Sequence, residues 1–285
     1  MITSINNWRV KWVRSLQEKR KARQEERRFV IEGTRLAYEA VVASIPAALV
    51  LHTERIHERG RGLVNSLARL GAEVETVTEA VMTACSATES PPGLLAVVSI
   101  PQLPPPSTLD LALVADRLSD PGNMGALLRT ALAAGAQTVF LTEGTVDPYN
   151  PKVVRGAMGA HFRLPVLELP PSAMGDRLEG MQVWVAEPDA GAAYDQVDWS
   201  HPTALVIGGE AQGPGEAAWS GASRVHVPMP GGAESLNAAV AAGVILFEIV
   251  RQRSALTQVG AAASLVRRAR RASRMASSTA KTKPT

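Results

Sequence analysis

Short apolar runs alternate with amphipathic stretches along most of the chain. In the first hundred residues, Phe29–Ile31, Ala47–Leu51, Glu73–Val77 and Leu94–Ile100 predict strands. Between them, Thr34–Ser44, His57–Leu70 and Glu79–Ala84 have helical spacing. The alternation resumes further on, with strands predicted at Leu111–Ala115, Thr138–Leu141, Val183–Ala186, Ala204–Ile207 and Val225–Val227 and helices such as Met124–Ala134. These strands are nearly uninterrupted apolar runs, the mark of a parallel sheet covered on both faces. The last long element, Leu236–Arg251, places Leu236, Val240, Val244, Phe247 and Val250 on one helical stripe, and the pattern predicts a helix that packs this stripe into the core. The fold class is α/β throughout.

A proline-rich stretch, Pro101 to Pro106, interrupts the alternation; it cannot continue a helix or an inner strand and favours an extended conformation. The chain therefore divides into a first domain at 1–100, a linker at 101–107, a second domain at 108–255 and a tail at 256–285. Its 285 residues suffice for two domains with separate cores. No apolar run approaches the roughly 20 residues of a membrane span, and the first residues lack the apolar core of a signal peptide. A soluble, cytoplasmic protein with no membrane partner is expected. The one cysteine, Cys85, excludes an internal disulfide and sits among Val81, Met82 and Ala84, as a buried structural thiol would. Five scattered histidines form no metal-ligand pattern, so no metal is expected.

The net charge of +3 matters less than its distribution. Arg9, Lys11, Arg14, Lys19, Arg20, Lys21, Arg23, Arg27 and Arg28 face only Glu18, Glu25 and Glu26 in the same stretch. The residues after Val259 contain seven basic side chains and no acid, and with little to bury they predict disorder without a partner. Such clusters attract polyanions, which makes nucleic acid the first partner to test, although a basic run is as often a solvated helix face.

Three segments concentrate the candidate chemistry. The first, DRLSDPGNMGALLRTALAAG at 116–135, leaves a strand and opens a helix, the place where ligands bind in open α/β sheets. Asn123 is expected to cap that helix, and Gly122 and Gly125 to permit close backbone approach. Arg129 stands out in an apolar helix, either meeting an anion or snorkelling to solvent. The second, LVIGGEAQGP at 205–214, runs from a buried strand into a glycine turn with one acid, Glu210. The third, VHVPMPGGAESLNAAV at 225–240, passes through a flexible loop into the last helix, with Ser235 or Asn237 at the helix start. Neither a dinucleotide fingerprint nor a Walker loop occurs.

In this order the three segments resemble the three motifs of the SpoU (TrmH) class within the SPOUT family of RNA methyltransferases. The stretch PKVVRGAMGAHFRLPV at 151–166 is similar to the family pattern between the first two motifs. Asn7, Val10-Lys11 and Phe29 to Gly33 resemble the substrate-binding domain of the class, a fold similar to ribosomal protein L30e. The resemblance covers roughly residues 5 to 252. It implies an α/β knot domain, with a parallel sheet and a C-terminal trefoil knot, that binds S-adenosylmethionine and works as a homodimer. By position it implies a catalytic set of Asn123, Arg129, Glu210, Ser235 and Asn237. Cofactor contacts are implied at Gly208, Gly209, Glu210, Val227, Met229, Ser235 and Leu236. Ala211 stands where a glycine is common, a departure that removes no polar site residue.

The implied reaction is S-adenosylmethionine-dependent 2′-O-methylation of structured RNA, ribosomal rather than transfer RNA, because this two-domain arrangement resembles the ribosomal-RNA-modifying members. RNA contacts are expected at Arg9, Lys11, Arg35, Arg129 and Arg155, and along the basic stretch from Arg9 to Arg28. A ribose hydroxyl is a poor nucleophile until it is aligned and begins to lose its proton. A guanidinium keeps its own proton beyond about pH 12, so Arg129 is read as a phosphate clamp rather than a base. The alternative is a non-catalytic RNA-binding scaffold of the same fold, which would have no reason to keep that polar set.

Overall fold

The computed structural model describes residues 1–209, 213, 215 and 219–256. Two helices, α1 (Trp8–Glu18) and α2 (Arg20–Glu26), open the chain in the basic run. The pattern reading assigned no element there, because the charges mask a three-residue apolar stripe, Val10, Val13 and Leu16, that turns inward. Strands β1 (Arg28–Glu32), β2 (Ala47–His52), β3 (Glu73–Thr76) and β4 (Leu94–Ser99) form a mixed sheet in the order β1-β4-β2-β3. Helices α3 (Gly33–Val42) and α4 (Glu58–Arg69) cover one face, and α1 with α5 (Glu79–Cys85) the other. The side chains of β4 alternate between the two layers, with Ala96 and Val98 on one side and Leu95 and Val97 on the other. Cys85 is buried, and desolvation pushes its thiol up to about 11, so it is inert at neutral pH.

The second unit has a seven-stranded parallel sheet in the order β7-β6-β5-β10-β8-β11-β9. Its elements are β5 (Leu111–Asp116), α6 (Pro121–Ala133), β6 (Thr138–Leu141), α7 (Pro151–Ala157), β7 (Val166–Glu168), α8 (Pro171–Arg177), β8 (Gln182–Ala186), β9 (Ala192–Ala193), β10 (Thr203–Gly208), β11 (Ser223–His226) and α9 at 238–256. All five strands predicted in this half form. The two- and three-residue strands and the short helices α7 and α8 were not predicted, being too brief to show a period. The central strands β5 and β10 are buried along their length between α6 and α9 on one side and α8 with Trp219 on the other.

The last helix corrects the sequence reading. It begins at residue 238, two later than predicted, and it buries Ala239, Ala242, Ile245, Leu246 and Ile249. The stripe expected in the core faces largely outward, with Val240 52 % and Phe247 50 % exposed; of its members, Val250 packs partly against the core. The helix is apolar nearly all round, so periodicity alone could not choose its face. Its rotation is set instead at the far end, where the Gln252 side chain pairs with Trp199 N and Val197 O, and Arg253 donates to Trp199 O and His201 O and meets Asp110. The basic tail from 257 onward lies outside the described residues.

The two units are joined by far more than the proline-rich linker. Arg23, one of the residues expected to meet RNA phosphates, is buried instead: its Nη2 lies 2.6 Å from Asp147 across the junction and its Nη1 donates to Leu16 O and Gln17 O. Arg20 pairs with Glu168, and buried Glu39 with Arg35 on its own helix and Arg163 across the junction. Phe29 packs on Tyr149, His161 and Phe162, so the apolar core of the first unit extends into the second. Desolvation lowers the pKa of buried His161 to about 4; its Nε2 lies 2.7 Å from Pro148 O, and the neutral ring fits an apolar joint.

Candidate active site

The carboxyl ends of β5, β10, β8 and β11 lie side by side along one rim of the parallel sheet. A cavity of about 200 Å³ opens there. Ile207, Val225, Val227, Met229, Leu236 and Ile245 supply its apolar wall, Gly208, Gly209 and Gly213 its main-chain edge, and Glu187, His226 and Ser235 its polar groups. Of the residues expected to contact a cofactor, Gly208, Gly209, Val227, Met229, Ser235 and Leu236 therefore share one cavity; Glu210 lies outside the described residues.

Beside the cavity, the starts of α6 and α9 meet. Asp120, not Asn123, caps α6: its Oδ1 accepts from Asn123 N at 2.7 Å, and Pro121 follows as the first helical residue. The expectation that Asn123 caps the helix is thus corrected, and the reason is that the cap falls three residues earlier, at the residue before Pro121. The Asn123 side chain instead meets the start of α9, where its Oδ1 accepts from Asn237 Nδ2 at 2.7 Å. Asn237 in turn caps α9, its Oδ1 accepting from Ala239 N and Val240 N. With that oxygen committed to backbone donors, the amide must present Nδ2 to Asn123. Ser235 is not the cap and remains on the cavity wall.

Arg129 is exposed and makes no hydrogen bond or ion pair among the described residues, while Met124, Leu127, Leu128 and Ala131 take the buried face of α6. The helix is held by a glycine crossing: a Cβ on Gly125 would stand 2.8 Å from Val153 O and 2.9 Å from the Cα of Gly156 on α7. Arg129 follows one turn after this crossing, and Arg155 adjoins it on α7. Arg155 is half-buried, and its Nη1 is shielded from solvent without a hydrogen-bond partner. Such a donor is costly unless an anion completes it.

Of the other residues expected at RNA, Lys11 is exposed, Arg9 is tied to Glu73 and Glu75, and Arg35 to Glu39. These three lie on the first unit, away from the strand-end cavity.

The sequence reading missed Asp116. This buried carboxylate ends β5 and accepts from Thr142 Oγ1 at 2.6 Å, Gly215 N at 2.7 Å and Trp219 Nε1 at 2.9 Å. Its carbonyl also accepts from Gly209 N at 2.9 Å. The next residue, Arg117, sits at a positive φ of 55° and donates from Nη2 to Gly213 O. A Cβ on Gly209 would stand 2.3 Å from Arg117 O, so only glycine fits there. Asp116 and Arg117 thus fix the chain that leaves β10, which is one edge of the cavity. An acid closing an otherwise apolar strand was the available signal.

Comparison with known proteins bears on this site. Residues 110–247 match the model of the SpoU rRNA Methylase family, and residues 7–96 the MRM3-like substrate binding domain. The chain is 34% identical to the 23S rRNA (guanosine(2553)-2′-O)-methyltransferase RlmP of Bacillus subtilis, over 87% of this chain and 98% of that one. It superposes on the SpoU methyltransferase AviRb of Streptomyces viridochromogenes, solved in complex with AdoMet, with a TM-score of 0.80 and 29% identity, covering 87% of this chain and 98% of the other. An AdoMet-bound rRNA methyltransferase from Sinorhizobium meliloti gives a TM-score of 0.79 at 29% identity, covering 88% and 97%.

Proposed function

The chain belongs to the SpoU rRNA methylase family, and from that premise we propose that it transfers the methyl group of S-adenosylmethionine to a ribose 2′-hydroxyl of ribosomal RNA. The observation that carries this reading is the strand-end cavity opening beside the Asn123–Asn237 pair. The residues suit the donor: an apolar wall for a flat purine, glycine main chain for its hydrogen-bonding edge, and Ser235 and Glu187 for polar groups. When bound, S-adenosylmethionine supplies an electrophilic sulfonium methyl. Asn123, Ser235 and Asn237 orient the ribose, and Arg129 holds the phosphate beside it and favours charge building on the hydroxyl oxygen. Arg155, half-buried beside the glycine crossing on α7, adds its positive charge next to that phosphate.

Residues 1–100 serve as the substrate-binding domain, with Lys11 among the phosphate contacts. Residues 108–255 are the catalytic domain, threaded as a trefoil knot, and the protein acts in the cytoplasm. No helix among the described residues is long and apolar enough to cross a membrane.

The test is tritium transfer from labelled S-adenosylmethionine to total RNA from cells lacking the gene, followed by nuclease digestion. Label in a 2′-O-methylated nucleotide of ribosomal RNA supports the reading; RNA binding without label would favour the scaffold. Through its contacts with Gly209, Gly215 and Trp219, Asp116 becomes a positioning residue for the donor. Asp116→Ala leaves the N–H groups of Gly215 and Trp219 without their acceptor, and should weaken S-adenosylmethionine binding about tenfold or more in calorimetry. Partial restoration of affinity by Trp219→Phe in the same chain would tie the loss to that contact, whereas unchanged affinity in Asp116→Ala would remove Asp116 from the site.

The outward stripe of α9 suits a second copy of the chain, because an exposed Leu236, Val240 and Phe247 beside the cavity is more apolar surface than a monomer needs. Phe247→Glu should halve the mass measured by light scattering and abolish methyl transfer; a monomeric wild-type chain would refute the homodimer.

A further inference from the structure

A second feature lies on α1, in the first unit. The core-facing stripe of this helix is Val10, Val13 and Leu16 with Trp12 partly packed against it, yet Trp8 stands at its first turn 58 % exposed. Trp12, one turn on, stacks against it at 6.3 Å between ring centroids and 29° between planes. Guanidinium groups accompany both rings: Arg9 lies 4.6 Å from the Trp8 centroid and Arg28 5.6 Å from that of Trp12. The assembly is braced from outside. Glu73 and Glu75 of β3 hold Arg9, and Trp12 Nε1 donates to Glu26 Oε2 at 2.5 Å.

An indole so placed is held in orientation while more than half of it stays open to solvent. Exposed Lys11 and Arg14 share the helix, and Arg14 lies 3.5 Å from Glu18. A planar, uncharged ring attached to phosphates is favoured here, by stacking on the open indole and by exposed Lys11 one turn along, which has no acidic partner among the described residues.

We propose that Trp8, braced by Trp12, Arg9 and Arg28, is a stacking platform for an unpaired nucleobase of the RNA substrate, with Lys11 receiving an adjacent phosphate. This rests on the RNA methyltransferase reading and gives the first unit a distinct role: it captures a single-stranded nucleotide, while phosphates and ribose are handled at Arg129. Because the two units are locked by the Arg23–Asp147 pair, such a platform fixes the distance from the captured base to the methylated ribose.

The experiment uses the full chain with a 12-nucleotide oligoadenylate and, separately, a 12-base-pair RNA duplex. Trp8→Ala should weaken oligoadenylate binding about tenfold while leaving the duplex and the slope of affinity against salt unchanged, because stacking releases no counterions. Trp8→Phe should recover most of the loss, and oligoadenylate should quench the indole fluorescence of the wild type but much less that of Trp8→Phe. Unchanged affinity in Trp8→Ala, or an equal loss on the duplex, overturns the platform; so does a fall in melting temperature that accounts for the weaker binding. Failure here is separable from failure of the methyltransferase reading, since labelling of RNA by the wild-type chain is scored independently.

Discussion

Arg129→Ala is expected to lower kcat for methyl transfer by about 10²–10³-fold, the usual cost of removing one charged group aimed at a developing oxyanion. The fold should not notice. Arg129 is exposed, has no protein partner among the described residues, and leaves the packing of α6 to Met124, Leu127, Leu128 and Ala131. Its removal should therefore change stability by no more than about 0.5 kcal/mol. The informative companion is Arg129→Lys, which keeps the charge but loses the planar fork that grips a phosphate through two hydrogen bonds. If clamping is the role, Arg129→Lys stays well below wild type in a single-turnover assay. Near-normal turnover in that variant would sink the clamp, because a point charge would then be enough.

The largest effect on stability is expected at the junction. Arg23→Ala leaves the Asp147 carboxylate buried without its cation and strips the donors from Leu16 O and Gln17 O. Breaking a buried pair from one side costs about 3–5 kcal/mol. Urea denaturation should show the loss as an earlier transition of the first unit, since the residue ties α2 to the loop before α7. Paired apolar replacement, Arg23→Met with Asp147→Leu, should recover much of it, as it leaves no charge unmatched. A loss below about 1 kcal/mol in Arg23→Ala would mean that solvent reaches the pair and that the junction is held by Phe29, Tyr149 and Phe162 instead.

Much of the fold was legible because it follows from local period. The apolar runs at β1, β2, β4, β5, β6, β8 and β10 each form strands within a residue or two of their predicted ends. Motif spacing likewise brought Gly208, Gly209, Val227, Met229, Ser235 and Leu236 to one cavity wall. The failures share a cause. The stripe on α9 faces outward because Gln252 and Arg253, beyond the predicted helix end, anchor it to loops about fifty residues earlier. Asn123 is not a cap because Asp120 and Pro121 start the helix first. Arg23 read as an RNA contact because its partner stands 124 positions away.

The sequence by itself determined the α/β class, the strand ends that hold the motifs and the family to which they belong, because each depends on residues close in the chain or on a fixed motif order. Only the tertiary structure decided which basic residues are spent on internal ion pairs and which stay exposed. It alone decided that Asp116 holds Gly215 and Trp219, that Asn237 reaches Asn123, and that buried ion pairs and ring contacts tie the two units together. The physical reason is the same in each case: the worth of a charge or a polar group is set by what surrounds it after folding, and local sequence does not contain those neighbours.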